Sequence, residues 1–170
     1  MSSRTVNKFF KFALEDAGHV MRDLPVNTIQ GVAITQEWVD VGALQEAFKT
    51  WLAGRGDMPL NIGGPMDTGS AVAASASGEE AKLSGSHTVL VPVNGLYTPL
   101  VFGVYIGMRR YWTTGDPVFG IASAGVDDGV TVANYAVDPQ AMTYSAELRL
   151  FPGTKKPEWG TAAVAAHNPS

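Results

Sequence analysis

The side chains able to do chemistry are few in this 170-residue chain, and they are scattered. The three histidines, His19, His87 and His167, stand far apart with no metal-ligand spacing, and all three read as surface histidines. No H-E-x-x-H, P-loop, G-x-G-x-x-G or G-x-S-x-G motif occurs. The spacings that hold a catalytic zinc, cradle phosphates or raise a nucleophile are therefore missing. Asp127-Asp128 is a carboxylate pair, but Gly129 follows it between two apolar runs, the pattern of a hairpin turn. Asp67, Glu79 and Glu80 lie in a low-complexity stretch, where acids solvate the chain. Arg55-Gly56-Asp57 spells the tripeptide that integrins recognise, yet it directly follows a predicted helix end and reads as a turn. The chain has no cysteine, which excludes disulfide scaffolds, Cys-based zinc sites and thiol catalysis. No polar set converges, so the expectation is a protein that is not an enzyme and takes no metal or cofactor.

Two basic-aromatic clusters remain. Arg109-Arg110 precedes Tyr111 and Trp112, and Lys155-Lys156 lies close to Trp159. Such residues can stack on nucleic-acid bases. However, from Trp112 to Leu148 there are five acids and no Lys or Arg, and the net charge is −4. That balance opposes binding through phosphate contacts. Arg109, Arg110 and Trp112, with Lys155, Lys156 and Trp159, are better read as anchors of a subunit contact.

The elements that must position these residues are mostly strands. Charged residues make up only 16% and apolar ones 45%, so a core can form. Nineteen Gly and ten Pro, about one residue in six, call for many turns. Phe10, Phe12 and Leu14 alternate with Lys11 and Ala13 along a first strand ending at Asp16-Ala17-Gly18. A second extended stretch spans Ile29 to Val41. Leu44, Ala47, Phe48, Trp51 and Leu52 then recur at helical spacing, with Gly54 behind them, predicting one amphipathic helix from Leu44 to Ala53 that packs on a sheet.

Met58 to Ile62 reads as a short strand. Gly63 to Ser86, rich in Gly, Ala, Ser and Thr, reads as a mobile loop or arm that acts between subunits. Further strands are expected at Thr88 to Val93, Leu100 to Ile106, Val118 to Ala124, Val130 to Val137 and Met142 to Leu150. In the last of these, Thr143, Ser145, Glu147 and Arg149 form the polar side. The end of the chain, 162–170, reads as a flexible tail. The fold expected is mainly β, a two-sheet sandwich or partly open β-barrel with one flanking α-helix, in a single domain over 1–161. No apolar run reaches 18 residues, and Met1 to Lys11 lacks a signal-peptide core.

Ordered along the chain, several short segments resemble the tail tube (major tail) proteins of long-tailed bacteriophages. They are Phe12-Ala13-Leu14-Glu15-Asp16, Val32-Ala33-Ile34-Thr35, Trp38-Val39-Asp40-Val41, the Leu44 to Ala53 segment, Gly115-Asp116-Pro117, Val130-Thr131-Val132, Thr143-Tyr144-Ser145-Ala146-Glu147-Leu148 and Trp159-Gly160-Thr161. The resemblance implies a virion structural protein that partners with itself in stacked, hexameric rings. Strands of adjacent subunits would line a channel that DNA crosses in passage, and loops and termini would meet the next ring and other virion proteins. Thr143, Ser145, Glu147 and Arg149 would face that lumen. Such a protein would be located in the virion, after assembly in the host cytoplasm, with no membrane partner. The competing expectation is a capsid decoration or cement protein. A sheet edge with nothing in the chain to cap it is the feature that favours joining of subunits.

Overall fold

The computed structural model describes residues 10–42, 51–108 and 110–167. Among these residues it is mainly β, with three antiparallel sheets, one helix and no closed barrel. The strands are β1 (Phe10–Glu15), β2 (Met21–Leu24), β3 (Thr28–Gln30), β4 (Thr35–Asp40), β5 (Trp51–Asp57), β6 (Leu60–Pro65), β7 (Phe102–Ile106), β8 (Val118–Gly120), β9 (Val130–Asp138), β10 (Thr143–Leu150) and β11 (Glu158–Gly160). The helix α1 (Ser86–Val93) lies between β6 and β7.

One sheet has the order β11-β8-β7-β1-β2 and another β3-β6-β10-β9; β4 and β5 form a third, two-stranded sheet. The main core sits between the two larger sheets. Phe12, Leu14, Phe102, Val104 and Phe119 from the first meet Leu60, Ile62, Val132, Tyr144 and Leu148 from the second, and α1 adds Val89, Leu90 and Val93. Each such side chain contributes about 1.5–3 kcal/mol on burial. The five-stranded sheet is also covered on its other face, where Ala13, Val101, Tyr105, Trp112, Val118 and Val164 pack together. That double burial explains why the Leu100 to Ile106 segment is apolar on both sides.

Gly31 divides the second extended stretch into β3 and β4. Its φ is 78°, and a Cβ there would stand 1.9 Å from the Pro59 carbonyl oxygen. Turns fall where Asp and Gly predict them. Asp16 Oδ1 accepts from the Gly18 and Val20 N–H groups at 2.8 and 3.0 Å, closing the β1–β2 hairpin.

Five expectations need correction. Trp51 to Ala53, placed at the end of the predicted helix, lies in β5, where Leu52 pairs with Val39 and Ala53 with Trp38. Cross-strand pairing with the apolar Trp38–Val39 segment is the competing use of that pattern; residues 43–50, including Leu44 and Phe48, lie outside the described residues. The Arg55-Gly56-Asp57 backbone is likewise strand, not turn. Thr88 to Val93, expected as a strand, belongs to α1. Its buried residues Ser86, Val89, Leu90 and Val93 recur at i, i+3, i+4 and i+7, so tertiary burial overrides the β-branched residues and Pro92.

The presumed arm is part of the domain. Gly63 to Pro65 complete β6, and the irregular stretch that follows runs along the β2 edge. There the Ala74 N–H donates to Met21 O (3.1 Å), the Ser84 N–H donates to Asp23 O (2.8 Å), and Leu83 bridges Asp23. Ser75 donates through N and Oγ to Asp23 Oδ2, both at 2.9 Å. Lys11 Nζ donates to Ser75 and lies 3.4 Å from Asp23 Oδ1. These bonds offset the ordering of a stretch with little to bury. The last correction concerns the tail. Residues 162–167 are anchored, with Val164 and His167 buried against the five-stranded sheet.

Candidate functional site

The polar face of the four-stranded sheet is built by the pleat of β10. Tyr144, Ala146 and Leu148 point into the core, so Thr143, Ser145, Glu147 and Arg149 must stand on the other side. Arg149 Nη2 lies 2.6 Å from Glu147 Oε1, and Asn134 Nδ2 donates to Glu147 Oε2 at 2.9 Å. The pair leaves this part of the face with no net charge. Asn134 sits at a β-bulge, with φ 54°, where the β9–β10 register shifts between Ser145 and Glu147. Beside it, Thr143 and Ser145 share an open depression with Asn27, Thr28, Gln30 and Asn61, a lining without a charged side chain.

Among the described residues, the predicted subunit-contact side chains differ in exposure and partners. Arg109 lies outside the described residues. Arg110 is exposed over the Tyr111 ring, 5.1 Å from its centroid. Trp112 is buried rather than presented: it packs edge-on to Tyr105, and Nε1 donates to Asp116 O at 3.1 Å. Lys155 is committed to its own chain, since its N–H donates to Asp128 Oδ1 (2.7 Å) and its Nζ to Ser123 O (3.1 Å). Lys156 is exposed. Trp159, on β11, is 53% exposed and rests one side on Phe119.

Asp128 is a turn residue as the Asp-Asp-Gly pattern predicts, with a second role. Its carboxylate caps the Lys155 and Gly125 N–H groups and so ties the β8–β9 connection to the segment after β10. Those two N–H groups, the Lys155 one first, hold its pKa below the ordinary aspartate value. Desolvation pushes the Asp16 carboxyl up, but Arg22 and the Val20 and Gly18 N–H groups outweigh it, and that pKa also falls. Burial raises the Tyr144 phenol, whose hydroxyl donates to Pro25 O at 2.9 Å.

The exposed apolar residues missed as an interface lie on the β4–β5 hairpin. All six β4 residues are exposed, Trp38 by 57% and Leu52 opposite them by 61%. Their apolar character is legible in the sequence, but it reads there as core.

The second omission is a buried polar cluster at the end of β1. Glu15 is fully buried and accepts from the N–H groups of Val101 (2.9 Å) and His167 (3.0 Å). His19 Nδ1 lies 3.0 Å from Glu15 Oε1, and His167 Nδ1 lies 2.7 Å from Glu15 Oε2. His167 is thus no surface histidine. Nothing in the sequence spacing points to this, because its two buried members are 152 positions apart. Compared with known proteins, the chain matches no family model and no curated protein.

Proposed function

We propose that the protein is a self-assembling structural subunit of a virion, a tail tube protein that polymerises into stacked rings around a DNA-conducting channel. The observation that carries this reading is the β4–β5 hairpin, an extended two-stranded sheet with Trp38, Val39 and Leu52 exposed. A two-stranded hairpin is marginal alone in water, and one with exposed apolar residues on both strands gains stability by packing on a second copy.

Sheet edges support the same reading. β2 is covered by the stretch after β6, and the Gly95 N–H donates to Val132 O on β9. Among the described residues, β3 and the second half of β9 have no further strand beside them, and they are the two edges of one sheet. Joining β3 of one subunit to β9 of the next removes both edges. Six four-stranded sheets would close a barrel of roughly two dozen strands, beyond the 16–18 at which barrels already enclose an aqueous channel. The Thr143, Ser145, Glu147 and Arg149 face, polar and neutral over its ion pair, would line it without holding phosphates.

Electron microscopy of the purified full-length protein tests the proposal. Rings or tubes with a sheet continuous between subunits support it. Discrete particles, or rings whose subunits meet only through loops, would sink it and favour a decoration protein on the capsid surface.

A further inference from the structure

We propose that Glu15, His19 and His167 form a binding site for a divalent transition metal of the zinc class, which clasps the C-terminal segment to the β1–β2 hairpin. The donor atoms of the three side chains all lie within 4.8 Å of one another. The proposal is independent of any role in a tail.

The hydrogen-bonding pattern of His167 makes the case. Its Nε2 lies 2.9 Å from both the Gly125 and the Asp128 carbonyl oxygens. Carbonyl oxygens only accept, so Nε2 carries the proton. In a neutral ring Nδ1 then holds a lone pair. That lone pair faces Glu15 Oε2 at 2.7 Å, and a carboxylate is also an acceptor. Two acceptors at that distance need a proton, on the ring or on the carboxyl, or a metal ion between them. An Nε2–H bonded to backbone carbonyls is also the outer-shell arrangement that fixes the tautomer and orientation of a metal-ligating histidine.

His19 completes the set from the tight turn. It is held at φ 60°, a left-handed conformation uncommon for residues with a side chain, and its N–H donates to Asp16 O at 3.0 Å. The strained backbone aims its ring at Glu15 and sets it edge-on to His167, with ring centroids 5.6 Å apart. Glu15 is fully buried and the His167 side chain 8% exposed, while that of His19 is 36% exposed. An ion would therefore reach the site past His19 and keep water as a further ligand there.

Two imidazoles and one carboxylate suit zinc and its neighbours, not calcium or magnesium, which take oxygen ligands. Because Glu15 and His167 are 152 positions apart, one ion would tie together the two ends of the described chain.

The test is titration of the full-length, chelator-stripped protein with ZnCl2, followed by calorimetry and thermal denaturation, and with CoCl2 followed by visible absorption. The expected result is one ion per chain, a tetrahedral or five-coordinate Co2+ spectrum, and a Tm about 5–10 °C higher at 100 times Kd. His19→Gln, on the surface and compatible with folding, should weaken Zn2+ binding at least about tenfold, as should His167→Gln. His87→Gln should leave it unchanged. Absence of Zn2+ binding would overturn the site and leave a proton between Glu15 and His167. Binding that survives His19→Gln would place the ion elsewhere and overturn it too.

Discussion

Trp112 and Asp128 are residues whose type was plain and whose use was not. An Arg-Arg-Tyr-Trp run reads as an exposed anchor, yet the Trp112 ring is 4% exposed against Tyr105. Trp112→Ala should accordingly cost about 3–5 kcal/mol of monomer stability in denaturant titrations. A subunit-contact residue would lower assembly and leave the monomer's stability alone. Asp128 carries a pH-dependent contribution. Its folded pKa lies below the ordinary aspartate value, so the unfolded chain binds the proton more readily. The stabilisation is present above that value and is lost as pH falls through the lower, folded one. Asp128→Asn can no longer accept both N–H groups as a carboxylate does. It should lose about 1–2 kcal/mol at pH 7 and show a flatter decline in Tm below about pH 4 than the parent.

At the scale of elements, β10 shows what patterning determines. Its strict alternation predicts one buried and one polar face, and both are found. The β4–β5 hairpin shows where patterning misleads. Period and residue type place Trp38 and Leu52 inside a core, whereas this hairpin joins neither larger sheet. If these side chains serve a second copy, Trp38→Ser with Leu52→Ser should shift monomer stability by no more than about 0.5 kcal/mol and abolish higher-order assembly by size-exclusion chromatography. A monomer that unfolds would return the hairpin to the core. The stretch after β6 makes the converse point. Its small polar residues bury little, and its order comes from backbone bonds to an edge that the sequence does not reveal as an edge.

For the whole molecule, the sandwich divides its faces unequally. The five-stranded sheet is buried on both, while the four-stranded sheet keeps a polar one. If that face lines a lumen and not a subunit boundary, Arg149→Ala should leave rings intact in electron micrographs. It should also change monomer stability by less than about 0.5 kcal/mol, since the Arg149 side chain is 61% exposed. Loss of rings would move the boundary onto β10.

Composition, period-two alternation and Asp-Gly turns by themselves determined a mainly β domain, the strands around Phe12, Val104, Val132 and Leu148, and the buried side of the last of these. These are local properties: a strand that alternates apolar with polar residues buries its apolar set, and a turn needs particular residues at its corners. Tertiary structure alone decided that Thr88 to Val93 is helical, that Trp112 is core, that the stretch after β6 seals β2, and that His167 meets Glu15. Each depends on a partner distant in the chain. Burial against such a partner outweighs local propensity, and no spacing along the sequence encodes which partner it will be.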